Sequence, residues 1–320
     1  MNLDLSDEAL EYGQASLRAL ESAGGDRLVQ IAEEEPERWE DLVAPVLKEL
    51  GADELDPAAD GDELEAAAAL CRSTGYWAIP YPVAGRLCRP RDLDAGGLVV
   101  VDGAPRSCVP TDGSEEWVAV GLDGRRSWAR ALRSTEPVRR SSFVVELDLR
   151  PIDGEGAGSV PLGLVLPCWT LLGMLDRALE LTRAYVLERS QFGQLLASFQ
   201  SVQFQLTEAE VERSGLEELA KFTLWSISAD PSEALAAALA LRLAAIEAAD
   251  IVFRVAHQLH GATGFCDEAV LSWLSRYSQP LRRLPLGLSR TREHLTRVVG
   301  RQGLSGIFAL DDVPYPFSES

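Results

Sequence analysis

Between Pro167 and Val299 the sequence is a near-continuous series of long stretches with apolar residues at helical spacing, joined by short connections. An antiparallel helical bundle is the simplest way to bury such stretches together. Cys168–Arg189 carries Leu171, Leu172, Leu175, Leu179 and Val186 at that spacing. Phe199–Ser226 is a second stretch, and Ser232–Leu259 a third, almost entirely Ala, Leu and Ile on a broad face. A fourth runs from about Glu268, expected to cap it, to Arg283, and Leu288–Val299 makes a fifth.

The chain upstream divides in two. Residues 1–92 read as a helical domain: Ser6 is placed to cap a helix over Asp7–Ser22. Trp39, Leu42, Val43, Val46 and Leu47 mark a second helix, and Leu64–Thr74 a third after the Asp60-Gly61-Asp62 turn. Pro80, Pro82 and Pro90 end this pattern, and 90–97 reads as a linker. Residues 93–162 then change character: Leu98–Val101, Trp117–Val120 and Phe143–Leu147 are short β-type runs with Asp102-Gly103 and Asp123-Gly124 turns between them. They predict a small antiparallel domain of five or six strands. The bundle would occupy 163–302, and 303–320 is an aperiodic tail. The fold class is therefore mainly α with a small β middle domain.

Composition removes several functions. The formal net charge is −20, with 20 acidic against 4 basic residues in the first 70, which argues against nucleic acid as a partner. Five cysteines, none at C-x-x-C spacing, read as free thiols, and only three histidines argue against a multi-histidine metal site. No run approaches the ~20 unbroken apolar residues of a membrane span. The first residues have neither a basic segment nor an apolar one, so the expected location is the cytosol.

Two stretches carry chemistry. The first is Glu188-Arg189-Ser190-Gln191-Phe192-Gly193, followed by Phe199-Gln200, where one long helix ends and the next begins. Gly193 suits the break, and Arg189 offers a fixed cation with a planar fork that matches a phosphate. The second is Gln258-Leu259-His260-Gly261-Ala262-Thr263-Gly264-Phe265, a helix running into a G-x-x-G turn where backbone can come close to a ligand. Taken singly, each stretch is equally well an ordinary helix end. His257 and His260, three residues apart, read as helix-end residues rather than ligands.

Together the two stretches resemble the C-terminal helical domain of the acyl-CoA dehydrogenases, most strongly over 163–276, and the helix–β–helix order fits the same family. The resemblance implies α,β-dehydrogenation of an acyl-CoA thioester with FAD. It implies that Arg189, Phe192, Phe199, Gln200, Gln258, Gly261 and Ala262 reach across a dimer interface to the pyrophosphate and adenosine half of the partner's FAD. Ala262 stands where many members have Gly.

The family's catalytic carboxylate is absent from both of its usual places. The Glu-Gly-Thr motif aligns with Leu286-Gly287-Leu288, and the alternative place on the first bundle helix falls near Gly163. Glu188 and Glu268 are the nearest carboxylates. In the middle domain Thr111-Asp112-Gly113-Ser114 only echoes the segment that holds the flavin ring. The pattern resembles the degenerate short subunits of α2β2 acyl-CoA dehydrogenases of actinobacterial steroid catabolism. That implies no catalytic residue in this chain, an FAD shared with a catalytic partner subunit, a steroid acyl-CoA substrate and an electron-transfer flavoprotein as acceptor. A self-sufficient homodimer with an unusual base and a flavin-free scaffold or acyl-CoA-binding module are the alternatives.

Overall fold

The computed structural model describes residues 3–35, 38–79, 81–103, 106–108, 115–132 and 144–302. The expected tail at 303–320 and the Thr111–Ser114 echo lie outside these residues, as do Pro80 and Phe143.

The N-terminal part consists of α1 (Asp7–Ala23), α2 (Arg27–Glu34), α3 (Trp39–Glu49), α4 (Gly61–Tyr76) and α5 (Val83–Leu87). Ser6 caps α1 as its position implies, its Oγ accepting from the Ala9 N–H at 3.3 Å. Asp60 does the same for α4, accepting from the Glu63 N–H at 2.9 Å, so the expected turn is the first turn of the helix. The short helices α2 and α5 add to the three expected ones. Each is too brief to show periodicity, and each forms because its apolar residues, such as Leu28, Val29, Val83 and Leu87, reach the core.

The middle part is a five-stranded sheet of β1 (Leu98–Val101), β2 (Arg106–Cys108), β3 (Trp117–Gly121), β4 (Arg125–Ala131) and β5 (Val144–Glu155), in the order β1-β3-β4-β5-β2. It is not wholly antiparallel. β1 and β3 run parallel, with Leu98 beside Val118 and Val100 beside Val120. The chain leaves β1, pairs β2 with β5 at the far edge, and returns to lay β3 against β1.

The C-terminal part holds α6 (Val160–Glu188), a two-stranded hairpin of β6 (Ser190–Gln191) and β7 (Gln194–Leu195), α7 (Gln200–Ala229), α8 (Ala234–His260), α9 (Val270–Arg283) and α10 (Leu288–Gln302). Helix α6 starts earlier than its apolar spacing suggests. Pro161 sits in the first turn, where a missing N–H costs nothing, and Pro167 falls four residues after Gly163. A Cβ at Gly163 would lie 2.5 Å from Val100 Cγ2, so α6 seats directly on β1. Glu268 does not cap α9: the helix begins at Val270 with Ala269 at its N-cap and no side-chain cap.

α4 packs on α6, and α6 on α8. The first contact is so close that a Cβ at Gly75 would overlap the Thr170 carbonyl, and one at Gly173 the Arg72 carbonyl. Only glycine permits that approach. Arg72 binds Asp176 and Glu217, each at 2.7 Å, and Arg213 reaches the same two carboxylates, which locks α4, α6 and α7 together. Contrary to the expectation from unbroken apolar runs, α6 with its preceding turn is long and apolar enough to cross a membrane, by length and composition alone. Most of that apolar window is buried inside the protein, as in a core helix.

Candidate functional site

The first sequence stretch forms the corner between α6 and α7. Arg189 caps α6, its N–H bonded to the Tyr185 carbonyl at 2.9 Å, and its own carbonyl accepts from the Leu196 N–H at 2.8 Å, closing the β6–β7 hairpin. Phe192 and Gly193 form the tip with φ of +53° and +82°. Two left-handed residues make the tight hairpin turn that suits strand twist, and for Phe192 that conformation costs roughly 1–3 kcal/mol. Phe192 is 91% exposed; its ring meets that of Phe199 edge-on at 6.4 Å.

Arg189 and Gln200 are exposed, and among the described residues neither side chain has a hydrogen-bond or ionic partner. Arg189 therefore keeps an uncommitted guanidinium beside the start of α7, whose N-cap, Phe199, offers no side-chain acceptor. Leu187, Leu195 and, one turn into α7, Phe204 are also exposed near this corner.

The second stretch ends α8. Gly261 has φ +60° and ψ −142°, a conformation that only glycine adopts readily, and a 3-10 turn continues to Phe265. Gly264 is buried, and a Cβ there would lie 2.9 Å from His260 Cβ. Gln258, Gly261 and Ala262 are exposed. Gln258 and Gly261 line an open groove of about 550 Å³ with His257, Phe265, Arg254 and Arg282.

The fold brings the two stretches to one end of the bundle. Helices α6 and α8 lie side by side, and their last turns touch through Tyr185 and His260, whose rings stack at 4.4 Å and 22°. Both histidines are helix-end residues, and no group of three potential metal ligands exists among the described residues. Their ring contacts were invisible in the sequence, where only the i, i+3 spacing hinted at a pair.

The two expected base positions are packed shut. Leu286 is fully buried. Behind its loop lies Arg242, 1% exposed, whose Nη1 donates to the Leu281 carbonyl at 3.1 Å, Nη2 to that of Leu284 at 2.6 Å and Nε to that of Leu286 at 3.1 Å. Burial pushes the pKa of Arg242 down, and its partners are carbonyls, not carboxylates. Thr291 adds a hydrogen bond to the Gly287 carbonyl at 3.0 Å, and Arg290 joins Asp102 at the end of β1 at 2.6 Å. At Gly163 the Val100 side chain fills the space a carboxylate would need. Glu188 and Glu268 are exposed, and among the described residues their carboxylates have no hydrogen-bond or ionic partner. Sequence reasoning missed Arg242 as a structural hub; its one signal was an arginine within the broad apolar face of α8.

A helical N-terminal part, a small sheet and a long-helix bundle with these two corners define the acyl-CoA dehydrogenase fold. Residues 165–285 match the family model for the acyl-CoA dehydrogenase C-terminal domain. The chain is 16% identical to a chain of the Tcur3481–Tcur3483 steroid ACAD G363A variant, with a TM-score of 0.73 over 92% of this chain and 98% of that one. It is 15% identical to a chain of the ChsE4–ChsE5 complex from Mycobacterium tuberculosis, with a TM-score of 0.70 over 95% of this chain and 100% of that one. The structure of PigA with FAD and proline gives 15% identity and a TM-score of 0.67 over 95% and 100%. A curated relative, 3-sulfinopropanoyl-CoA desulfinase of Paraburkholderia xenovorans, is 35% identical over 96 residues, which is 29% of this chain and 24% of the relative's length. The C-terminal part of this chain is thus an acyl-CoA dehydrogenase C-terminal domain, carried in a chain with the acyl-CoA dehydrogenase fold.

Proposed function

We propose that this chain is the non-catalytic subunit of a cytoplasmic, heteromeric, FAD-dependent acyl-CoA dehydrogenase, and that it completes the FAD site of a catalytic partner in an α2β2 assembly. One contrast carries the reading: both places for a catalytic carboxylate are packed core, while the cofactor-facing corner is exposed and uncommitted. A chain that kept its own reaction would need the reverse.

The residues present fit the nucleotide half of FAD. Arg189 offers a free planar cation for a diphosphate, Gln200 and Gln258 offer exposed amides, and the Gly261–Ala262 turn lets backbone approach closely. Phe192 and Phe199 form an apolar flank. Exposed Leu187, Leu195 and Phe204 give the corner the apolar rim of a protein–protein surface. When bound, the flavin supplies a hydride acceptor. This chain's part is to hold the diphosphate, exclude water from that end and supply its share of the interface. The partner brings the base and the acyl pocket, and electrons pass to an electron-transfer flavoprotein. The resemblance to steroid-degrading enzymes makes a steroid side-chain CoA thioester the proposed substrate.

The test is activity on such a thioester. The lone chain is expected to be inactive and the co-purified complex active, and replacing the partner's catalytic carboxylate by its amide should abolish all turnover. Turnover by the lone chain would overturn the proposal.

A further inference from the structure

His257 and His260 have no role in the account above, yet each carries a stacked aromatic ring. His260 stacks on Tyr185 at 4.4 Å and 22°, and His257 on Phe265 at 4.3 Å and 15°. We propose that these two stacks are a positioning device, fixing Arg189 and the Gln258–Ala262 turn in one register so that both engage the same dinucleotide. The proposal rests on the FAD reading above and adds to it which residues set the geometry.

The connection is short at every link. Tyr185 lies one turn before Arg189, and its carbonyl accepts the Arg189 N–H, so the ring of Tyr185 anchors the turn that presents the guanidinium. His260 immediately precedes Gly261. Its Nδ1 lies 2.9 Å from the Ala256 carbonyl, which ties the ring to its own helix and leaves one face for Tyr185. The first stack therefore joins the ends of α6 and α8 at the points where the two stretches begin.

The second stack carries the register outward. Phe265 is 68% exposed, so burial alone does not hold its ring in place; the imidazole of His257 beneath it does. Gly264 between them has no room for a Cβ against His260, which keeps turn and helix in contact. His257 Nδ1 is buried without a hydrogen-bond partner among the described residues, so stacking rather than hydrogen bonding keeps this ring. Burial lowers the pKa of both imidazoles, and a neutral ring can lie between apolar faces with no charge to solvate. The Tyr185 hydroxyl has no partner among the described residues. The ring is then the working part, and phenylalanine should replace it.

The experiment uses the full heteromer and FAD itself. The dissociation constant of FAD is measured on stripped complex, together with the assembly mass and melting temperature, for wild type, Tyr185→Leu, Tyr185→Phe and His257→Leu. Tyr185→Leu and His257→Leu should each weaken FAD about tenfold with the assembly mass unchanged, and Tyr185→Phe should bind as wild type. Wild-type FAD affinity in both leucine variants would overturn the positioning role while leaving the FAD reading intact. If Tyr185→Leu disrupts assembly, His257→Leu, at the outer stack, decides the matter alone. A wild-type complex that binds no FAD would overturn the FAD reading and this inference with it.

Discussion

Replacing Arg242 with methionine should destabilise this protein by about 3 kcal/mol. The guanidinium is buried and hydrogen-bonds to the carbonyls of Leu281, Leu284 and Leu286. Leu281 belongs to the last turn of α9, where carbonyls lack helical partners and a cation is favourable, so Arg242 also caps that helix from outside. Methionine conserves much of the volume but orphans the Leu281 and Leu284 carbonyls, at about 1–3 kcal/mol each, and leaves that of Leu286 only a long 3.5 Å bond from the Thr291 hydroxyl. Removing the buried cation returns part of that, because its desolvation cost disappears too. A net loss of about 3 kcal/mol corresponds to a fall of about 4–5 °C in melting temperature for a chain of this size. Arg242→Lys should fall between the two, since one ammonium cannot span three carbonyls as the planar fork does. Calorimetry on the full chain measures both. A methionine variant within 1 °C of wild type, or a lysine variant that melts below it, would refute the idea that this cage holds the Leu284–Leu286 loop in place.

Three further outcomes follow from the same structure. Arg189→Ala should leave the melting temperature of the isolated chain unchanged, because the side chain has no partner there, and should weaken FAD in the heteromer roughly thirtyfold, about 2 kcal/mol; fluorescence titration reads this. Gly261→Ala forces a side chain into φ +60°, ψ −142° and should cost roughly 1–3 kcal/mol by chemical denaturation, with loss of flavin retention. Burial pushes the Glu217 carboxyl up, but the charges of Arg72 and Arg213 pull it further down, below the ordinary glutamate value. Its contribution to stability is therefore complete above that ordinary value and is lost as pH falls through the lowered one. The stability of wild type should thus drop more steeply below about pH 4.5 than that of Glu217→Gln, as denaturation midpoints across pH would record.

Much of this molecule is legible in its sequence for one physical reason: long amphipathic helices repeat their pattern many times over. The stretches now seen as α6, α7 and α8 announced themselves, and so did the corners at Arg189 and Gly261, where glycines interrupt the period. What escaped notice depends on partners distant in sequence or on the backbone. The parallel pairing of β1 with β3 cannot be read from Leu98–Val101, since the same four residues suit either direction. The start of α6 was masked by Pro161, which the first turn accommodates, and by Pro167, which lies inside the helix. The β6–β7 hairpin has strands of two residues, too short for any alternation, and it places an aromatic residue, Phe192, where glycine or asparagine would be expected. Arg242 satisfies carbonyls, and backbone acceptors leave no trace in residue identity. The expected cap at Glu268 failed because the chain reaches α9 through Ala269, with Asp267 instead accepting from Trp273 through its carbonyl.

On the proposed function, this chain has lost a reaction site and kept the part that serves another subunit. Flavin stoichiometry tests it most directly: the chain is purified alone and with its catalytic partner, and flavin absorbance is set against mass from light scattering. A colourless lone chain and a yellow complex with one flavin for each pair of unlike chains are expected. A yellow homodimer carrying one flavin per chain would contradict it.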